Sequence, residues 1–172
     1  MHIAGIIENS NTREIIDTIK YLLKNRKASF TEYGYFRNRE AWNNYCMAVN
    51  QTGTEILVIK IKISNIEEAL NVITLDTLII NDYNDWLIVS GIIRKNKKSF
   101  KNLTVILNGD IIKTSNFTDE ELCRVLCYGF GKDSNITTSS TGEPLLSGRF
   151  LCYIRTALVT AGGNRIEPQE YV

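Results

Sequence analysis

The sequence predicts an α/β protein, a three-layer domain whose mostly parallel sheet carries helices on both faces. Three observations lead there. Runs rich in Ile and Val alternate along the chain with segments of helical periodicity. Strand-like runs such as Thr77 to Asn81 are apolar in the manner of strands covered on both sides. No stretch rich in Pro, Gly or Ser divides the chain, so residues 1–172 read as one domain, a length that can close a single core.

The elements follow in order. His2 to Ile7 is a short apolar strand, and the polar turn Glu8-Asn9-Ser10-Asn11-Thr12 supplies good helix N-cap residues. Ile15, Ile16, Ile19, Leu22 and Leu23 then recur at helical spacing, with Lys20, Lys24 and Arg26 toward the end where the helix dipole favours cations. Ala28 to Phe36 reads as extended, residues 39–51 as a helix, and Gly53 as its stop. Glu55 to Ile63 is a strand, Ile66 to Val72 a helix, Thr77 to Asn81 a strand, and Asn84 to about Lys97 a helix. Leu103 to Leu107 is a further strand, followed by the turn Asn108-Gly109-Asp110. Asp119 to Leu126 reads as a helix running into Cys127-Tyr128-Gly129-Phe130. Residues 136–147 suit a ribbon or loop, which places a small antiparallel ribbon near residues 124–147. Phe150, Leu151, Ile154, Ala157, Leu158 and Ala161 mark a last helix that Gly162-Gly163 ends.

Composition excludes several classes of function. Lys and Arg total 20 against 19 Asp and Glu, so no basic field marks a nucleic-acid interface. No apolar run approaches the roughly 20 residues of a membrane helix, and the expectation is a cytoplasmic domain with no membrane partner. Cys46, Cys123, Cys127 and Cys152 form no CxxC pair, and His2 is the only histidine, so no metal site is expected. Free cysteines usually act as small buried hydrophobes. A nucleophile activated by histidine would have to use His2, for which the sequence offers no obvious orienting partner.

The order of motifs resembles the central, ATP-binding domain of the Mur ligases and folylpolyglutamate synthetases. Ile3-Ala4-Gly5-Ile6-Ile7 stands where that family has its strand and loop G-[IVT]-T-G-T-x-G-K-[ST], followed by an amphipathic helix. Ile56 to Ile63 with Ser64-Asn65 is similar to the strand that ends in Glu and small polar residues, and Asp76 to Asp82 to the strand that ends in Thr-Asn. Val105 to Asp110 resembles the N-x-D-D turn. Val125 to Gly131 with Ile136-Thr137-Thr138 resembles the Tyr-Gly or Phe-Gly segment and its following strand. Leu146 to Phe150 is similar to L-P-G-x-[HF]-N, and Gly162 to Glu170 to L-G-x-x-x-E-x-I. The likeness spans nearly the whole chain. It implies a P-loop-like sheet, and for active members ATP, Mg²⁺ and amide formation through an acyl phosphate.

The departures fall on the chemistry. A phosphate loop needs glycines for close backbone approach, a Lys for the outer phosphates and a hydroxyl for Mg²⁺. The positions Gly5, Asn9, Ser10, Asn11, Thr12 and Arg13 keep only the first glycine, with Thr12 at the family's Lys and Arg13 at its hydroxyl. Glu8 puts a carboxylate where a triphosphate would lie. The strand that should close on a Glu carries Lys60 and Lys62, and the Asp-His pair reads Asp82-Tyr83. Hard Mg²⁺ takes oxygen ligands, which Lys does not supply. Neither ATP nor Mg²⁺ is therefore expected to bind.

These readings lead to an inactive homologue serving as a binding, interaction or regulatory module, partnered by another protein or a second copy of itself. Two alternatives stand beside it. One is a subunit of a split ATP-dependent amino-acid ligase completed by a partner. The other is a doubly wound domain binding a small metabolite at a crevice near Asn81, Asp82, Asn108 and Asp110, which all follow strands. Whether the chain is an enzyme stays open, with the balance against it. The basic run Arg94 to Lys101 reads as a helix end suited to its dipole. The aromatic stretch from Phe30 to Tyr45 reads equally as a docking surface or a core edge.

Overall fold

A computed structural model describes residues 1–9, 12–34, 36, 38–96, 100–111, 123–140, 150–160 and 163–171. Among these residues, nine strands form one sheet in the order β11-β8-β7-β6-β5-β4-β1-β3-β2. The first five strands are β1 (His2–Glu8), β2 (Ala28–Glu32), β3 (Ile56–Lys62), β4 (Thr77–Ile80) and β5 (Thr104–Asn108). They are followed by β6 (Arg124–Gly129), β7 (Ile136–Ser140), β8 (Phe150–Ile154) and β11 (Gln169–Tyr171). From β2 across to β7 every neighbour pair is parallel, and β8 and β11 close the sheet antiparallel. A separate antiparallel pair joins β9 (Leu158–Val159) to β10 (Arg165–Ile166).

The sheet separates two unequal layers. Successive strand side chains point to opposite faces, so Leu57, Ile59 and Ile61 of β3 face one way and Val58 and Lys60 the other. The first set lies in the main core with Trp42 of α2 (Arg39–Gln51), Ile66, Ala69 and Leu70 of α3 (Ile66–Val72), and Val89, Ile92 and Ile93 of α4 (Tyr83–Lys95). The second set faces α1 (Thr12–Leu22), whose Ile16 meets Val58 at a shared cleft. Helices on both faces thus enclose the parallel strands, which is why those strands read as continuous apolar runs.

Local chemistry sets the helix ends. Asn38 accepts from the Ala41 amide at 2.8 Å to cap α2, and Gly53 takes φ +75° just beyond its far end. Asp82 caps α4, accepting from the amides of Asn84 and Asp85 at 2.8 and 3.2 Å. Arg94 and Lys95 occupy the last turn of α4, as the helix-dipole reading of the basic run expects; Lys97 and Lys98 lie outside the described residues. Tyr33, Phe36 and Trp42 are buried, and Phe36 packs on Trp42 and Tyr45 with centroids 5.1 and 4.8 Å apart. This part of the aromatic stretch is a core edge.

Within the range 124–147 expected to hold an antiparallel ribbon, β6 and β7 pair in parallel and the antiparallel partner of β7 is β8, while two expected helices in the second half of the chain are strands. Arg124 to Gly129 is a strand where a helix from Asp119 to Leu126 was expected; residues 119–122 lie outside the described residues. Cys123 and Cys127 do share a buried face, but a spacing of four is even and so also holds on a strand. The expected last helix from Phe150 is instead β8 and β9. Its unbroken Phe-Leu-Cys-Tyr-Ile run suits either structure, and the free edge of β7 takes it antiparallel, with Ile136 opposite Ile154 and Ser140 opposite Phe150. The chain turns after β9 through Gly163, at φ +81°. Residues 141–147, Leu146 to Arg149 and Gly162 lie outside the described residues.

Ile59 is fully buried on the helix-covered face. Ile59→Ala is expected to lower stability by about 2–5 kcal/mol in denaturant unfolding, whereas Phe130→Ala, at a site 75% exposed, should change it by less than about 0.5 kcal/mol.

Candidate functional site

Strand β1 is flanked by β3 and β4, and the chain leaves it toward β2 on one side but reaches β4, β5 and β6 on the other. Open sheets bind ligands at the carboxyl ends of strands where the order reverses in this way. The sequence-predicted residues lie along that edge in two groups.

The first group surrounds the end of β1. A cleft of about 630 Å³ is lined by Glu8, Asn9, Arg13, Asp17, Lys20, Phe30, Glu32 and Lys60, with Ile16, Thr31 and Val58. Strand register builds its floor: Glu32 pairs directly with Lys60, and Ile6 opposite Lys60 puts Glu8 one side-chain repeat farther along the same face. Lys60 Nζ lies 3.1 Å from Glu8 Oε1 and also pairs with Glu32 Oε1. Hydrogen bonding to Glu32 is the main cause of a raised Lys60 pKa; partial burial opposes it and Glu8 adds to it. The second Glu8 oxygen, Oε2, is buried without a hydrogen-bond partner.

The phosphate-loop positions are placed as follows. Gly5 lies inside β1, paired with Ile59 and Leu78, where an added Cβ would come within 2.9 Å of a Leu75 methyl and 3.0 Å of a Leu78 methyl. It is a packing glycine of the strand. Asn9 follows β1 and hydrogen-bonds the buried Asp85 at the start of α4, bridging the ends of β1 and β4. Burial, and next the Asp82 charge, raise the Asp85 pKa, while Asn9 lowers it. Thr12 opens α1 and Arg13 reaches the cleft from its first turn. Ser10 and Asn11 lie outside the described residues.

The second group sits at the ends of β4, β5 and β6. The Tyr128 hydroxyl donates to Asn81 Oδ1, and burial followed by the Asp110 charge raises its pKa. Asp110 accepts from the amides of Phe130 at 2.8 Å and Gly131 at 3.1 Å, while its own amide donates to Asn108 Oδ1 at 3.0 Å. Gly129, at φ +153°, has no room for a side chain: a Cβ would lie 2.7 Å from Asp110 Oδ1. Asn81, Asn108 and Asp110 are thus joined around Tyr128, while the Asp82 carboxylate is turned to cap α4. These contacts make the second group a clamp on its own loops.

The remaining nucleophiles lie elsewhere. Burial pushes the Cys127 thiol up to about 11, which leaves little thiolate near neutral pH. His2 has orienting partners that the sequence did not reveal, Thr77 Oγ1 at 3.1 Å and Asp76 Oδ2 at 3.6 Å. They hold it at the amino end of the sheet, opposite the cleft. Among the described residues no group of three or more His, Cys, Asp or Glu is placed to hold a metal. No described helix is long and apolar enough to cross a membrane.

Sequence reading recognised Glu8, Arg13 and Lys60 as departures from a phosphate site but missed Asp17, Lys20, Phe30 and Glu32 as cleft residues. The signal was the shared parity of Phe30, Glu32, Val58, Lys60, Ile6 and Glu8 once β1, β3 and β2 are neighbours. No protein-family model matches the chain, and no curated protein matches it.

Two outcomes test this geometry. Lys60→Met is expected to cost about 1 kcal/mol in denaturant unfolding at neutral pH by leaving Glu8 and Glu32 facing one another without a cation. In the native chain the raised Lys60 pKa contributes stability in full below its ordinary value, and this is lost as pH rises through the folded value, so denaturation curves should weaken in strong alkali. Gly129→Ala is expected to cost about 2 kcal/mol or more by the same measurement.

Proposed function

We propose that this protein is a degenerate relative of the Mur ligase and folylpolyglutamate synthetase central domains that works as a binding or interaction module. The reading rests on the residues at the end of β1. An active phosphate loop would present open backbone amides and a free Lys there, with an acidic metal ligand on the neighbouring strand. Here that neighbouring strand contributes Lys60, and Glu8 and Glu32 neutralise it. The single observation that carries the proposal is this Glu8–Lys60–Glu32 network, which occupies the cation and places carboxylates beside the path of a triphosphate.

The sheet order supports the scaffold half of the proposal. Strand β1 lies between β3 and β4, and the helix after it leads to the edge strand β2, an arrangement compatible with a P-loop-like domain. The Asn9–Asp85 bond supports the other half, since it spans the gap between β1 and β4 with protein groups. The cleft on the α1 side is left as the place for a ligand of different charge.

Thermal unfolding with ATP, with ATP and Mg²⁺, and with EDTA added tests the proposal. A nucleotide present at about 100 times its Kd stabilises by about 2.7 kcal/mol. The expected result is no Mg²⁺-dependent rise in Tm. A rise that EDTA removes would count decisively against the loss of the phosphate site.

A further inference from the structure

We propose that the outward face of α4 docks a second copy of this chain, the two helices running antiparallel with Leu87 of each copy seated over Gly91 of the other. This goes beyond the reading of the phosphate site and does not depend on it.

A helix on the outside of a sheet normally turns apolar residues inward and polar residues to water. The exposed arc of α2 largely keeps to this, with Glu40, Asn43, Asn44 and Asn50. Helix α4 does not. Val89, Ile92 and Ile93 are buried on its inner side, yet Tyr83, Leu87 and Ile88 on its outer side are 40%, 50% and 50% exposed. A helix that is apolar around most of its circumference suits a place covered from both sides.

Gly91 marks where the cover fits. Successive helical residues turn by about 100°. That puts Gly91 at the middle of the exposed arc, pointing away from the sheet, with Tyr83 and Leu87 on one flank and Ile88 on the other. Glycine weakens a helix interior relative to alanine. Among the described residues nothing lies within 4 Å of the place its Cβ would take, so no contact there calls for glycine. The missing side chain leaves a hollow between Leu87 and Ile88 that is open from outside.

Shape and charge select a second copy as the occupant. In an antiparallel pair centred between Leu87 and Gly91, each Leu87 lies opposite the other copy's Gly91 and fills its hollow. The same register sets Lys95 of one copy opposite Tyr83 of the other, next to the carboxylate of Asp82, and Arg94 opposite Asn84. The basic last turn thereby meets an aromatic ring and an acidic first turn. A parallel pair would instead set Arg94 and Lys95 against their own counterparts, like charge against like. The antiparallel pair is closed by one two-fold axis, the commonest symmetry of homo-oligomers. One helix against one helix buries less than the roughly 1,200–2,000 Å² of a standard interface, so the expected Kd is about 10–100 μM.

Sedimentation velocity of the full chain from about 5 to 500 μM, a range that brackets this Kd, is the experiment. The native chain should pass from monomer to dimer and no further. Leu87→Gln and Gly91→Gln should each raise the Kd by about tenfold or more. Gly91→Gln should also keep or raise the Tm, because glutamine is the better helix former in open space. Lys95→Glu, which sets a carboxylate against Asp82, should weaken the pair as well. If one glutamine variant does not fold, the other is read alone.

The proposal is overturned if the native chain stays monomeric throughout, since the face then meets water or a different partner. It is equally overturned by a dimer that the folded variants leave unchanged, or by assembly that grows past the dimer. Binding of ATP with Mg²⁺ to the native chain would remove the lost-phosphate-site proposal and leave this one standing.

Discussion

Strand β1 is hydrogen-bonded along both edges and packed on both faces, and this double confinement governs the arrangement around it. A strand so placed has no slack in register, because a shift of one residue would exchange its two faces. Gly5 must then remain small beneath Leu75 and Leu78, and Ile7 must enter the helix-covered core. The same parity sends Glu8 toward the α1 side. A carboxylate on that side, partly withdrawn from water, needs a cation, and the neighbouring strand provides Lys60 at the right diagonal. The charge pattern of the cleft thus follows from the register of the central strands.

The parallel half of the fold was legible because its signals were redundant. In α2 the helical period and the Gly53 stop agree, and in α4 the helical period and the closing Arg94-Lys95 agree. In the carboxyl half the reading leaned on apolar spacing, which does not separate a helix from a strand covered on both sides, and on Gly162-Gly163, which can follow either. For Phe150 to Ile154 the deciding factor was the unpaired edge of β7, a tertiary fact with no local trace in the sequence.

The site was legible in its losses more than in its contents. Glu8 and Lys60 stood out because they conflict with phosphate chemistry, which a single sequence can reveal. Their partnership with Glu32 depends on β2 lying beside β3, a consequence of sheet order that no short motif encodes. Of the residues after β4 and β5, Asn81, Asn108 and Asp110 lie around Tyr128 while Asp82 caps α4, and these contacts are internal to the fold. Asp110 holds the Phe130 and Gly131 amides, and Tyr128 holds Asn81.

The join between β6 and β7 has a consequence for cooperativity. Parallel neighbours normally need a long crossover, yet here residues 130–135 suffice because β7 begins level with the end of β6 and shares only two pairings with it, Tyr128 with Ile136 and Gly129 with Thr137. The three outer strands are tied to one another by longer antiparallel ladders than to the body. The molecule therefore carries a seam. Partial opening along it would release the tail as one unit while the interior ladder stays protected from solvent exchange, giving the chain two tiers of local stability within one continuous sheet.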